Sequence, residues 1–304
     1  MTNSLRSRSV KISGKTKLYG IIGDPIEHSL SPLFQSRFIE QSGIDAVYVP
    51  FRVDQRDIES AMHGLWALNV QGFNVTVPHK ESVMPFVQLD ECAQRIGAVN
   101  TVVRGDSGWL ATNTDWIGFT EALKAVDAQV AGASVLMFGA GGTAKAVVYA
   151  LARLGISRLN ICNRGRERAE MLATHIGEHY SHIDCELIEW GENDVEAACL
   201  KSKIVINTTS VGLKDAEAFP FRLAGSGVAV DAVYRPDGNT AFCTAARESG
   251  RLSVDGLPML IAQGAAAFSK WFDADMPNLI EAFRWTESQL SRPVADLPGW
   301  EKRV

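Results

Sequence analysis

Residues 134–144, SVLMFGAGGTA, constrain the fold of this 304-residue chain more than any other stretch. An apolar run stops at Gly139, and TAKAVVYALARLG then has the composition of a helix. Gly139, Gly141 and Ala144 stand in G-x-G-x-x-A spacing, between a strand and the helix it feeds. In that context each small residue has a reason. Gly139 permits the tight turn, Gly141 lets backbone approach a diphosphate, and Ala144 lets helix pack on strand. The diphosphate would lie at the helix N-terminus, where free N–H groups and the dipole favour negative charge. Gly139, Ala140, Gly141, Gly142 and Thr143 are therefore the expected cofactor turn.

The next strand discriminates between dinucleotides. An NAD site usually places Asp or Glu at its end, accepting from the ribose 2′-hydroxyl. Here the strand ends in CNRGRER, with Asn163, Arg164, Arg166 and Arg168 and no acid at the strand end. Guanidinium groups suit a 2′-phosphate, and cations at a helix start otherwise oppose the dipole. Asn163, Arg164 and Arg168 thus point to NADP. A methyltransferase, which also uses a glycine-rich turn, would want the missing acid.

Alternation of strand and helix occurs twice. A first series runs from KLYGIIG (17–23) to the hairpin NTVVRGDSGWLATN (100–113), and a second restarts at residue 133. This predicts an α/β protein of two domains with mostly parallel sheets, the second domain of Rossmann type. In the first series, Ser31 and Pro32 read as N-cap and first residue of a helix that Gly43 ends.

GFNVTVPHK (72–80) is unusual for a buried strand. Phe73, Val75 and Val77 alternate with Asn74 and Thr76, and Lys80 follows the Pro78 stop. Beyond the carboxyl end of a strand in an open α/β sheet, such polar groups would face a cleft. Lys80 falls at the start of HKESVMPF, read as a helix N-terminus; a cation is disfavoured there, which suits a group that hands a proton to a carbonyl oxygen.

With these pieces in place the chain resembles the shikimate dehydrogenase family, which includes quinate/shikimate dehydrogenases. The resemblance rests on GDPIEHSLSP, GFNVTVPHK, GAVNTVV, TNTD, GAGGTAKA, NRGRERA, NTTSVGL and DGLPMLIAQGAAAF, spread in the family's order over about residues 18–272. It implies reversible, NADPH-dependent reduction of 3-dehydroshikimate to shikimate. It implies Lys80 and Asp115 as the catalytic pair and Ser29, Ser31 and Tyr234 at the substrate carboxylate. Asn74, Thr76, Asn100 and Gln263 would meet the ring hydroxyls, and Thr208 and Gly256 would join the cofactor site. The substrate domain would comprise 17–114 and 262–304, with the NADP domain at 115–261 between them. Departures from the family pattern include Gln35-Ser36 for His-Asn and Trp116 for a common glycine. A paralogue acting on quinate or another cyclic hydroxy acid, or a non-catalytic NADP sensor, are the alternatives.

Composition excludes other classes. A net charge of −5 gives no reason to expect nucleic acid, which needs a basic face, and no apolar run approaches the roughly 20 residues of a membrane span. Five scattered cysteines without C-x-x-C suit reduced thiols in a cytoplasm. The partner expected is a small molecule, the protein being a monomer or homodimer. Residues 1–16, basic and serine-rich, read as a flexible tail. His175, His179 and His182 do not assemble enough ligands for a metal.

Overall fold

The computed structural model describes residues 12–213, 218–295 and 297–302. The tail expected at 1–16 lies, through residue 11, outside the described residues; Thr16 and Ser13 close a turn before the first strand.

The first half alternates β1 (Lys17–Gly23), α1 (Ser31–Ser42), β2 (Ala46–Arg52), α2 (Ile58–Ala67) and β3 (Val70–Val75). A two-residue β4 (Gln88–Leu89), α3 (Glu91–Ile96), β5 (Thr101–Arg104) and β6 (Trp109–Thr112) complete it. The sheet order is β2-β1-β3-β5-β6-β4. β1 pairs in parallel with β2 and β3, whereas β5 runs antiparallel to both β3 and β6, so this sheet is mixed. The hairpin expected at 100–113 accounts for the antiparallel β5–β6 pair, since a short turn can only join antiparallel strands. Gly43 and Gly97, both at positive φ, end α1 and α3, and Asp90 caps α3 by accepting from the Ala93 N–H at 2.8 Å.

α4 (Asp115–Ala125) leads into the second series. This comprises β7 (Ser134–Phe138), α5 (Gly142–Arg153), β8 (Arg158–Cys162), α6 (Arg166–His179), β9 (Asp184–Ile188) and α7 (Glu192–Lys201). β10 (Ile204–Asn207), β11 (Val228–Asp231), α8 (Ala241–Glu248) and β12 (Leu252–Val254) follow. All six strands are parallel, in the order β12-β11-β10-β7-β8-β9. The order of strand addition reverses between β7 and β10, and ligands bind at that switch point in doubly wound sheets. β9, α7 and β12 were not expected from the sequence: DCELI alternates too briefly, and β12 has three residues.

α9 (Leu257–Phe272), α10 (Leu279–Gln289) and the short α11 (Pro298–Glu301) end the chain. α9 packs along α4 at backbone distance. A Cβ on Gly118 would lie 2.4 Å from the Met259 carbonyl oxygen and 2.9 Å from the Gln263 Cβ. The two helices join the sheets: one apolar cluster runs from Tyr19 and Phe38 through Phe119, Leu123 and Ile261 to Val135 and Ile206. The expected boundary at 261/262 falls inside α9.

Three local expectations change. Ser31 is the first helical residue rather than the cap, which is Leu30. β3 stops at Val75, so Val77 lies beyond the strand and is exposed. Residues 78–83 form turns, not a helix, because Pro85 two residues on permits only a 3-10 turn at Met84–Phe86.

Candidate active site

Lys80 sits in the turns after β3, held from both sides. Its carbonyl accepts from the Val99 N–H at 2.8 Å, and the buried His79 Nε2 donates to the Val53 carbonyl at 2.6 Å. The Lys80 Nζ lies 2.6 Å from the Asp115 Oδ2, with the two side chains 12% and 6% exposed. Asp115 opens α4, yet its carboxylate does not cap the helix; the other oxygen accepts from Asn100 Nδ2 at 2.8 Å. The helix terminus that borders Lys80 belongs to α5. A Cβ on Gly142 would be 3.4 Å from the Lys80 Cβ, and Thr143 Oγ1 accepts from Nζ at 3.2 Å. The Lys80–Asp115 pair and the glycine-rich turn therefore lie side by side.

Asn100 organises the buried polar network. Its Nδ2 donates to Asp115, to Thr114 Oγ1 (3.0 Å) and to Gln263 Oε1 (3.1 Å), while its Oδ1 accepts from the Thr114 N–H (2.7 Å) and Thr101 Oγ1 (3.0 Å). Gln263 reaches it because α4 and α9 approach so closely. Asn74 joins the network through Nδ2, which donates to the Asn100 carbonyl (3.1 Å) and to Thr101 Oγ1 (3.3 Å). Its Oδ1 accepts from the Tyr48 hydroxyl at 2.8 Å. Thr76 is half-buried, with its N–H on the Ile22 carbonyl.

Across from these residues lies a set of hydroxyls after β1. The Ser31 N–H donates to Ser29 Oγ at 3.3 Å, and the Leu30 N–H to the Tyr234 hydroxyl at 3.4 Å. Burial raises Tyr234 above the ordinary phenol range, although contacts with Leu30 and Ser29 oppose the shift. Tyr48 is raised further by burial, with Ser31 beside it. Both phenols thus stay protonated donors.

On the second sheet, Gly139 has φ +108°, and a Cβ there would lie 2.3 Å from Thr208 Oγ1. Thr208 Oγ1 donates to the Phe138 carbonyl at 2.8 Å, so β7 and β10 meet at their carboxyl ends. Gly141 caps α5, and open space surrounds the Cβ it lacks. Beyond β8, Asn163 Nδ2 donates to the Gly165 carbonyl at 2.7 Å. Arg166 is bound to Glu170 and Glu189, leaving Arg164 and Arg168 exposed and, among the described residues, without a carboxylate partner. A glycine cradle at the switch point, a free helix N-terminus and two unpaired guanidiniums fit a dinucleotide bearing a 2′-phosphate. Gly256 has a packing reason of its own: a Cβ would lie 2.4 Å from the Ala232 carbonyl oxygen.

Three family models match the chain: "Shikimate dehydrogenase substrate binding domain" over 21–102, "Shikimate / quinate 5-dehydrogenase" over 120–211, and "Shikimate 5'-dehydrogenase C-terminal domain" over 256–284. The shikimate dehydrogenase (NADP(+)) of Aquifex aeolicus is 40% identical over 292 residues, covering 95% of this chain and 100% of that protein. The chain belongs to the shikimate dehydrogenase family. Crystal structures of family members superpose closely. That of the Aquifex aeolicus shikimate dehydrogenase gives a TM-score of 0.80 at 37% identity, covering 91% of this chain and 99% of that one. The Thermus thermophilus shikimate 5-dehydrogenase, solved in complex with NADP(H) and shikimate, gives 0.79 at 31% identity, covering 90% and 100%.

Sequence reasoning missed Tyr48, Thr101, Thr114 and His79. Tyr48 left one signal, a phenol on the buried face of a strand, which needs a hydrogen-bond partner. Trp116 packs on Tyr149 with Arg153 over its ring, so its bulk is taken up between α4 and α5. Cys162 is buried, and that burial pushes its thiol up to about 12. Among the described residues no cluster of three potential metal ligands exists, and no helix is long and apolar enough to cross a membrane.

Proposed function

We propose that this protein is an NADP-dependent shikimate dehydrogenase, interconverting 3-dehydroshikimate and shikimate, with Lys80 and Asp115 as the acid–base pair. The observation that carries the assignment is the buried Lys80–Asp115 contact of 2.6 Å set against the first turn of α5.

Bound NADPH supplies the hydride that the ketone carbon accepts. The carbonyl oxygen then gains the electron pair of the C=O π bond and needs a proton, which the Lys80 ammonium delivers. Asp115 holds that ammonium and is itself held by Asn100, so the donor is placed before substrate arrives. In the reverse direction the Lys80 amine takes the hydroxyl proton. Ser29, Ser31 and Tyr234 supply hydroxyl donors for the substrate carboxylate. Asn74, Thr76, Asn100 and Gln263 face the ring hydroxyls. Since both Asn74 Nδ2 protons are committed within the protein, Asn74 acts through Oδ1 as an acceptor.

We assign substrate binding to residues 17–114 and 262–304 and NADP binding to 115–261, with Gly139–Gly142, the Thr143 backbone and Thr208 at the diphosphate and nicotinamide side and Asn163, Arg164 and Arg168 at the 2′-phosphate. A cytoplasmic location agrees with the five free cysteines.

The test is the rate of NADP- and NAD-dependent oxidation of shikimate, quinate and simpler cyclic hydroxy acids. Shikimate with NADP should be fastest. Binding of NADP without turnover of any of them would refute the assignment, and preference for quinate would replace its substrate.

A further inference from the structure

The following inference rests on Lys80 being the proton donor. An ammonium has three protons and no acceptor. One Lys80 proton is directed to Asp115 Oδ2 at 2.6 Å and another to Thr143 Oγ1 at 3.2 Å. These acceptors belong to two different helices, α4 and α5. With both in place the ammonium cannot swing, and its third proton has a defined direction.

Other contacts bind the same turn of α5 to the Lys80 segment. Lys145 Nζ lies 3.0 Å from the Glu81 carboxylate and donates to the Gly97 carbonyl at 3.4 Å. Gly142 packs on the Lys80 stem at a distance that leaves just enough room for contact. Three features of one helical turn thus grip two consecutive residues of the opposing loop. That turn is also the free N-terminus of α5, where a dinucleotide's diphosphate would lie.

We propose that Thr143 is a positioning residue for the Lys80 proton donor, its hydroxyl serving Lys80 rather than phosphate, and that Lys145–Glu81 is a second tie. Alignment of the donor then depends on where α5 sits, and so on the dinucleotide at its N-terminus.

Thr143→Ala, Thr143→Ser, Lys145→Met, Glu81→Gln and the last two combined test this. The expected result for Thr143→Ala is a kcat about tenfold lower, as for one lost hydrogen bond to a charged group. NADPH affinity, read by nicotinamide fluorescence, should stay within about twofold on the same reasoning, and Thr143→Ser should recover most of the rate. Lys145→Met and Glu81→Gln should each lower kcat, with the combined variant no slower than the worse single one. A second readout needs no catalysis: modification of Lys80 by an amine reagent in the ligand-free protein, followed by peptide mass, should be faster in Thr143→Ala. The idea is overturned by weaker NADPH binding at unchanged kcat, by Thr143→Ser behaving as Thr143→Ala, or by unchanged Lys80 labelling. Loss of the proposed function is separate, because it appears as a wild-type protein that does not oxidise shikimate, and the labelling result stands regardless.

Discussion

Replacing Lys80 and Asp115 singly and together measures whether they work as one unit. At 2.6 Å and an effective dielectric of about 20, their gross attraction is about 6 kcal/mol. Desolvation of two ions takes back several kcal/mol. The Asn100 hydrogen bond to Asp115 remains in either case. A net coupling of about 2–3 kcal/mol is left. Lys80→Met strands a carboxylate in a site where it is 6% exposed, and Asp115→Asn turns an amide toward an ammonium. Each single change should therefore lower the urea midpoint, and the Lys80→Met/Asp115→Asn pair should lower it by clearly less than their sum. Catalysis should follow the same logic. Lys80→Met lowers kcat by about 10²-fold or more at unchanged NADPH affinity, and the double variant is no slower than the worse single one. Additive effects on both stability and rate would refute the reasoning, as would an active Lys80→Met enzyme.

Arg164→Ala and Arg168→Ala should each weaken NADP binding with little effect on NAD. Arg166→Ala should do less, because its guanidinium is already bound to Glu170 and Glu189; titrations with both dinucleotides check this. Tyr48→Phe keeps the ring on Trp271 but removes the donor to Asn74, so KM for shikimate should rise about tenfold with kcat nearly unchanged; an unchanged KM argues against a role for Tyr48. Burial raises Asp231 from an ordinary 3.8 to about 7, against hydrogen bonds from Thr240, Val233 and Asn207. The folded chain then holds a proton that the unfolded chain has released, so this contribution is complete below the unfolded value and is lost as pH rises through about 7. Urea midpoints of wild type should fall between pH 5 and pH 8 relative to Asp231→Asn; parallel profiles would count against it. Gly139→Ala meets both a positive φ and Thr208, and should lower the thermal midpoint and dinucleotide affinity together.

Much of the site was legible because its chemistry is local. The glycine turn needs only a strand before it and a helix after it, and both are present. The arginines of NRGRER were legible as a group, but which of them is free was not, since Glu189 lies on another segment. Lys80 does not open a helix of its own, as HKESVMPF suggested: its segment makes only turns, and the helix terminus beside it is that of α5. Ser31 shows the same limit. Ser-Pro before an apolar run predicts a cap, whereas Ser31 enters the helix and is buried near Tyr48.

Periodicity, turn residues and the G-x-G-x-x-A spacing act over a few neighbours, and from them the sequence alone determined two α/β units, a dinucleotide turn and a polar strand end facing a cleft. Only the tertiary structure decided which groups meet. Lys80 finds Asp115 across 35 residues and Thr143 across 63, and Asn100 finds Gln263 across 163. Such partners are chosen by how closely α4 can lie on α9, a distance set by Gly118 and the backbone at Met259. Packing at that scale depends on many surfaces fitting at once, and no short stretch of chain encodes it.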